Sequence, residues 1–254
     1  MDRGTYVAAS GGILQFTRLD IANNNLANIN TPGFKKQVLI SKERTFEDTL
    51  ASQVATDDPF AKGDHLRSPG VSEVGTYTDF SQGAIKETGN PFDVALNNPN
   101  DFFVIETEEG LQYTRAGNFT LNAEGALVTS DGYAVQGDGG ALVANGTHAE
   151  ITAAGVLMVD GSNAGRLQVA RFEDPQVLEQ QGGCRFKLRD GAEGGESVDA
   201  ELTPQALEMS NVSAVSTMIE VLTTNRGFQL YEKTARTIDE MNNIAVQQIG
   251  RRSI

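Results

Sequence analysis

Apolar positions in this chain keep a seven-residue beat at the C-terminal end and break into short strand-like runs through the middle. Val221, Phe228, Ala235, Asn242 and Ile249 recur at one position, and Thr224, Tyr231, Ile238 and Ala245 recur three residues after each of the first four. That is an a/d seam held for about four heptads, the pattern of a helix made to lie along another helix. Ahead of it, after Thr203-Pro204, Val212, Val215, Ile219 and Leu222 form an earlier stripe, with Ser210 or Asn211 as the expected cap. The stripe and the seam occupy different faces, so the helix is expected to meet more than one partner.

The only other long helical stretch is at the opposite end, residues 2–29. Its apolar residues Tyr6, Val7, Ile13, Leu14, Phe16, Leu19, Ile21 and Leu26 cover two separate arcs of a helical wheel. Two arcs imply contacts on two sides; a helix buried inside its own domain is the alternative. Five Asn between residues 23 and 30 end the helix, and Pro32 disfavours helix at Thr31. Pro32-Gly33 suits the centre of a type II turn, with Gly33 taking the positive φ and Phe34 folding back onto the helix end. This reads first as a helix stop. The Asn run also supplies amides able to bond across to neighbouring backbones.

Between the two ends the pattern is β. Strands are expected at Thr76–Thr78, Phe92–Leu96, Phe102–Ile105 and Gln112–Thr114, then in a hairpin of 118–121 and 126–129 across Asn122–Gly125. Ser130-Asp131-Gly132 turns into Tyr133–Val135, and further strands fall at 156–159, 166–172 and 185–188. Gly and Asp/Asn at the junctions, with no βαβ alternation, predict an antiparallel body. Residues 36–70 read as a variable linker, with a short helix over 45–50 and a loop over 57–70.

Charge sharpens this division. The chain has 254 residues and a net charge of −14. Residues 1–40 carry +2 and residues 208–254 carry 0, which leaves −16 for residues 41–207. Near-neutral ends suit packing on copies of similar chains, whereas the acidic middle would be repelled by nucleic acid or anionic lipid. Cys184 is alone, so an intrachain disulfide is impossible. No cleavable secretory leader is recognised at the N-terminus, and no apolar run approaches the ~20 residues needed to cross a bilayer. Taken alone, this points to the cytoplasm, without excluding export by a route that leaves the N-terminus intact.

Catalytic chemistry finds little purchase. His65 and His148 are far apart, no Cys/His zinc spacing exists, and Cys184 has no base near it in sequence. Gly137-Asp138-Gly139-Gly140 does not join a strand to a phosphate-binding helix. Asp160-Gly-Ser-Asn lacks the terminal Glu of a calcium loop. No enzyme activity, cofactor or metal is expected.

Asn25-Leu26-Ala27-Asn28-Ile29-Asn30-Thr31-Pro32-Gly33-Phe34-Lys35 resembles the N-terminal signature of the bacterial flagellar rod, hook and hook-associated proteins. Glu208, Ser210-Asn211-Val212, Val215, Met218-Ile219, Arg226 and Phe228-Gln229 are similar to their C-terminal signature. Thr88–Leu96 and Tyr113–Phe119, running on to Gly125, Leu127-Val128 and Gly132-Tyr133, resemble the rod members in particular. The resemblance spans nearly the whole chain. It leans towards the proximal rod member, with Pro32 as one pointer and the distal member as the near alternative.

The resemblance implies an α+β fold, in which N- and C-terminal helices pair as a coiled-coil layer around a tube and a mainly antiparallel β domain packs outside. The expected domains are 1–35 with 208–254 for assembly, 36–70 as linker and 71–207 as body. The implied function is a structural subunit of the basal-body rod, in the periplasm. Its partners are copies of itself, other rod subunits and the flagellar type III export apparatus, with no nucleic acid and no membrane insertion. The expected assembly interface comprises Asn25, Leu26, Ala27, Asn28, Thr31, Pro32, Gly33 and Phe34 at one end. At the other it comprises Ser210, Asn211, Val212, Val215, Ile219, Val221, Leu222, Arg226, Phe228, Tyr231, Ile238 and Asn242. Leu26, Phe34, Val221, Phe228, Tyr231 and Ile238 are the expected anchors. Asn25, Asn28 and Asn211 are expected to set register, as is Asn242 at some cost in stability. Residues 1–35 and 211–254 are expected to order only on stacking. A β-rich binding module with a helical dimerisation stalk is the alternative outside the family.

Overall fold

Two long helices bound the chain, α1 at Arg3–Ala27 and α2 at Ala214–Arg251. They belong to a computed structural model that describes residues 3–45 and 69–251. Thr45, expected to begin a short helix over 45–50, ends a strand, and the rest of that helix with most of the loop expected over 57–70 lies outside the described residues. Neither helix carries an acidic residue in its first turn, so dipole complementarity does little for either. What holds them is the buried face. On α1, Ala8, Leu14, Ala22 and Asn25 are buried on one side while Ile13 and Phe16 are exposed on the other. On α2, Thr217 and Thr224 are buried and Val221, Phe228, Tyr231, Ala235 and Ile238 half-buried, which makes the heptad seam the covered face.

α2 starts later than its apolar stripe suggests. Ser210 and Asn211 do not cap it; they lie in the loop before it, and Leu202–Pro204 and Ala206–Glu208 are strands. Both strands pair with segments more than a hundred residues upstream, Val94–Leu96 and Ile85–Glu87. Such long-range ladders override local helix propensity, because backbone groups buried in a body must find partners.

The described chain divides into two compact units. One comprises Met1–Leu26, Gln37–Tyr77 and Ala214–Ile254; the other comprises Ala27–Lys36 and Thr78–Ser213. In the first unit, Gln37–Thr45 and Pro69–Thr78 form a two-stranded sheet, so the expected linker begins with a strand. Leu39 is buried while Val38 and Ile40 are exposed, the alternation of a strand covered on one side. The helices meet at a ring contact between Phe16 and Phe228, with centroids 6.2 Å apart. They also meet at Gly11, where an added Cβ would lie 2.4 Å from the Tyr231 ring.

The second unit is the β body. Asp101–Thr107 is the centre of its ten-stranded sheet and pairs with Gly110–Thr114, Ala134–Gly137 and Val169–Arg171, each antiparallel. The expected hairpin closes where Asn122 donates its N–H to the Ala126 carbonyl at 3.0 Å. A separate three-stranded sheet comprises Ala149–Ile151, Val156–Val159 and Ser162–Arg166. One apolar core gathers Val94, Leu96, Phe103, Ile105, Phe119 and Leu127, and a second stacks Phe80, Phe102, Phe172 and Phe186. The fold is α+β with a mainly antiparallel body.

Candidate functional site: a buried ionic junction

A third, smaller cluster lies in the β body and is built from segments remote in sequence: Phe34, Cys184 and Val212, with Ile29 and Ala116 packed against them. The turn that delivers Phe34 is the one its sequence implies. Phe34 N–H donates to the Thr31 carbonyl at 3.3 Å, and Gly33 takes φ 71°. Gly33 is also held by close approach, since a Cβ there would sit 2.3 Å from the backbone nitrogen of Ala116. Phe34 therefore turns into the body, with its ring 2 % exposed, and not simply back onto the helix end.

Next to this cluster three charged side chains are almost wholly buried: Lys35, Arg115 and Glu208. Lys35 Nζ donates to Glu208 Oε1 at 2.7 Å and to the Ser81 carbonyl at 2.7 Å. Arg115 donates from Nε and Nη2 to Glu208 Oε2 at 3.0 and 2.6 Å, and from Nη1 to the Asn98 carbonyl at 2.7 Å. Gly83 N–H donates to Glu208 Oε1 at 2.9 Å. The carboxylate thus accepts four bonds, which is what a buried ion needs to offset its lost hydration. Burial pushes the Lys35 ammonium below its ordinary value despite the opposing pull of Glu208, and lowers Arg115 for the same reason. Asp101, also buried, holds the exposed-edge Arg171 bidentately at 2.6 and 2.9 Å.

The same place collects the points where the chain enters and leaves the body. Gly33 N–H donates to the Glu208 carbonyl at 2.8 Å, and Asp79 N–H to the Lys36 carbonyl at 2.8 Å. Asn211 accepts from Lys36 N–H at 2.8 Å and donates to the carbonyls of Asp79 at 2.8 Å and Ser81 at 3.2 Å.

Within the first unit, Asn25 does similar work. It is buried, donates to the Gln37 carbonyl at 2.8 Å and accepts from Gln37 N–H at 2.9 Å. The Asn28 side chain accepts from the Thr31 hydroxyl at 3.1 Å, and Ser210 Oγ accepts from Val212 N–H at 3.3 Å. Three of the four amides expected to set register between chains, Asn25, Asn28 and Asn211, thus bond inside this one. Gly33, Phe34 and Val212 are buried, and Leu26 and Pro32 half-buried. Ala27, Val215, Ile219, Leu222, Arg226 and Asn242 are exposed. Asn242, expected on the seam, is thus exposed among the described residues. The expectation that residues 1–35 order only on stacking does not hold for Thr31–Lys35, because Phe34 and Lys35 are filled into the body.

The junction itself is absent from the set of site residues read from the sequence. Lys35 and Glu208 are conspicuous only within the family signatures, and Arg115 only within Tyr113–Phe119. In an acidic chain no single carboxylate stands out until its partners are located in space. Both oxygens of the Glu208 carboxylate are occupied by donors from its own chain. Cys184, in the apolar cluster, is pushed up to about 12 by burial, with Asp131 adding to the shift. Among the described residues no group of three or more His, Cys, Asp or Glu side chains is placed to hold a metal ion. Nor is any helix among them long and apolar enough to cross a membrane.

Comparison with known proteins matches three family models in chain order. Residues 6–35 match the flagella basal body rod protein model, 98–160 the flagellar hook protein FlgE/F/G D1 domain, and 203–248 the flagellar basal body rod FlgEFG protein C-terminal model. The chain is 32 % identical over 261 residues to the flagellar basal-body rod protein FlgG of Bacillus subtilis (strain 168), covering 95 % of this chain and 97 % of that one. It is 28 % identical over 254 residues to the flagellar basal-body rod protein FlgF of Caulobacter vibrioides, covering 99 % of each. The FlgG protein of the same organism is 31 % identical over 249 residues, covering 92 % of this chain and 94 % of that one.

Proposed function

We propose a mode of assembly for a chain that belongs to the flagellar basal-body rod protein family and is a structural subunit of the rod in the bacterial flagellar basal body. The subunit polymerises with copies of itself and with other rod proteins through its terminal helices. These pair in coiled-coil fashion and stack on neighbouring pairs. The observation that carries this is the apolar row on α2 that the described residues leave open. Val215, Ile219 and Leu222 are 70, 56 and 60 % exposed, and Met218, Leu230, Met241 and Ile244 are exposed as well. At ~100° per residue this row lies opposite the half-buried seam of Val221, Phe228 and Tyr231.

Full burial of each such side chain is worth ~1.5–3 kcal/mol, so a row this long favours association. Contacts that run head to tail without closing give a helical tube. Asn28, Thr31, Pro32, Gly33, Phe34, Ser210, Asn211 and Val212 then serve the interface by shaping the body, while Asn25, Leu26, Ala27, Val215, Ile219, Val221, Leu222, Arg226, Phe228, Tyr231, Ile238 and Asn242 serve it from the helices. The domain division proposed for this role is a helical assembly unit and a β body. The subunit travels unfolded through the flagellar type III apparatus across to the periplasm; a chain whose single Cys184 allows no intrachain disulfide meets that requirement without bond breakage.

The test is Leu222→Asp combined with Ile219→Asp in cells whose own copy is deleted. The variant is expected to be exported and to keep a normally melting body, but to leave swimming and complete basal bodies lost. Basal bodies in wild-type numbers would refute the assembly mode.

A further inference from the structure

We propose that Lys35, Arg115, Glu208 and Asn211 form a clamp that registers the points where the chain enters and leaves the β body, and that rod assembly depends on this registration. The proposal rests on the reading of the chain as a rod subunit. Its premise is a mismatch between cost and need. Filling this volume with apolar side chains would hold the body together as well or better, because buried ion pairs seldom repay their desolvation. Phe34, Cys184 and Val212 already supply an apolar cluster beside it.

What ions and amides add is direction. Arg115 places both Nε and Nη2 on one Glu208 oxygen, Oε2, while Lys35 and Gly83 N–H hold the other, Oε1, so the carboxylate is pinned at both ends. Glu208 then fixes Lys35 and the backbone of Gly83. Asn211 bridges Lys36 to Asp79 and Ser81 as a rung between segments that are not adjacent in sequence. Apolar contacts would let these segments slide past one another; these bonds do not. In a helical tube each subunit repeats its neighbour's geometry, so a small error in where the terminal segments emerge accumulates from subunit to subunit. Assembly geometry tolerates only small departures, and buried directional bonds are how such tolerances are held.

Asn211→Ala isolates registration from stability, since it leaves Lys35, Arg115, Glu208 and the apolar cluster intact. A cell with its own copy deleted receives wild-type chain or variant; complete basal bodies are counted by electron microscopy, and purified full chains are melted. Failure of wild-type chain to restore basal bodies would count against the rod reading itself and leave no comparison to make. The expected result for Asn211→Ala is a melting temperature within about 4 °C of wild type, with complete basal bodies lost from most cells, because a geometry held too loosely fails its function. Wild-type numbers of basal bodies overturn the proposal.

If Asn211→Ala melts much lower, the triple variant Lys35→Met/Arg115→Met/Glu208→Leu decides. It is expected to melt at or above wild type and still assemble poorly. Normal assembly by the triple variant overturns the proposal. So does its failure to fold, because the ions would then be holding the fold and not registering its exits.

Discussion

Glu208 shows how one side chain comes to matter through neighbours supplied by three distant segments. Its carboxylate balances Lys35 and Arg115, so Glu208→Ala would leave two cations buried without a counter-charge. The expected loss is about 3–5 kcal/mol, read as a large drop in the denaturant midpoint at unchanged slope. Gly33 is constrained twice, by φ 71° and by the Ala116 backbone 2.3 Å from where a Cβ would stand. Gly33→Ala should destabilise the body by more than ~1 kcal/mol, since alanine is incompatible with a positive φ, with the Thr31–Lys35 amides losing hydrogen-exchange protection first. Cys184 makes a prediction in pH. Its thiol ionises near 9.0 when unperturbed and near about 12 in the fold. Between those values the unfolded chain has released a proton that the folded chain keeps, so stability falls as pH rises from about 9 towards 12. The slope contributed by this one group approaches ~1.4 kcal/mol per pH unit, and it vanishes in Cys184→Ala. At pH 8 iodoacetamide should label Cys184 only after the chain is unfolded.

At the scale of elements, the helices are defined by which face they cover. Gly11 lets the Tyr231 ring lie against the α1 backbone, where a Cβ would come within 2.4 Å. Gly11→Leu is therefore expected to part the helices at that point. Circular dichroism should report a lower melting temperature for the helical signal, while exchange protection in Asp101–Thr107 stays as in wild type. The heptad ladder foretold the covered face of α2 correctly through Ile238, because side chains three and four apart share a side whatever they pack against. It did not foretell the start of α2. Ala206–Glu208 looks locally like a helix approach, yet pairs with Ile85–Glu87 across a gap invisible to any short window.

For the whole molecule, the chain is organised by where its segments are delivered and not by their order. Residues 27–36 follow a helix in sequence but pack with the body, so a body fragment cut at 71 and 207 lacks Phe34, Lys35, Glu208 and Val212. Such a fragment is expected to show no cooperative melting, whereas one spanning 27–213 should melt as a unit in calorimetry. The α+β class, the two terminal helices, the Pro32-Gly33 turn and most body strands were legible in sequence, because each rests on local periodicity or on the φ preferences of Gly and Pro. The family was legible for a related reason: its signatures are short contiguous runs. The tertiary structure alone decided that Lys35, Arg115 and Glu208 meet, that Asn25 and Asn211 bond within their own chain, and that Val215, Ile219 and Leu222 remain open. Which partner a side chain finds depends on contacts across a hundred residues or more, and a one-dimensional pattern records the face a residue takes but not what that face will touch.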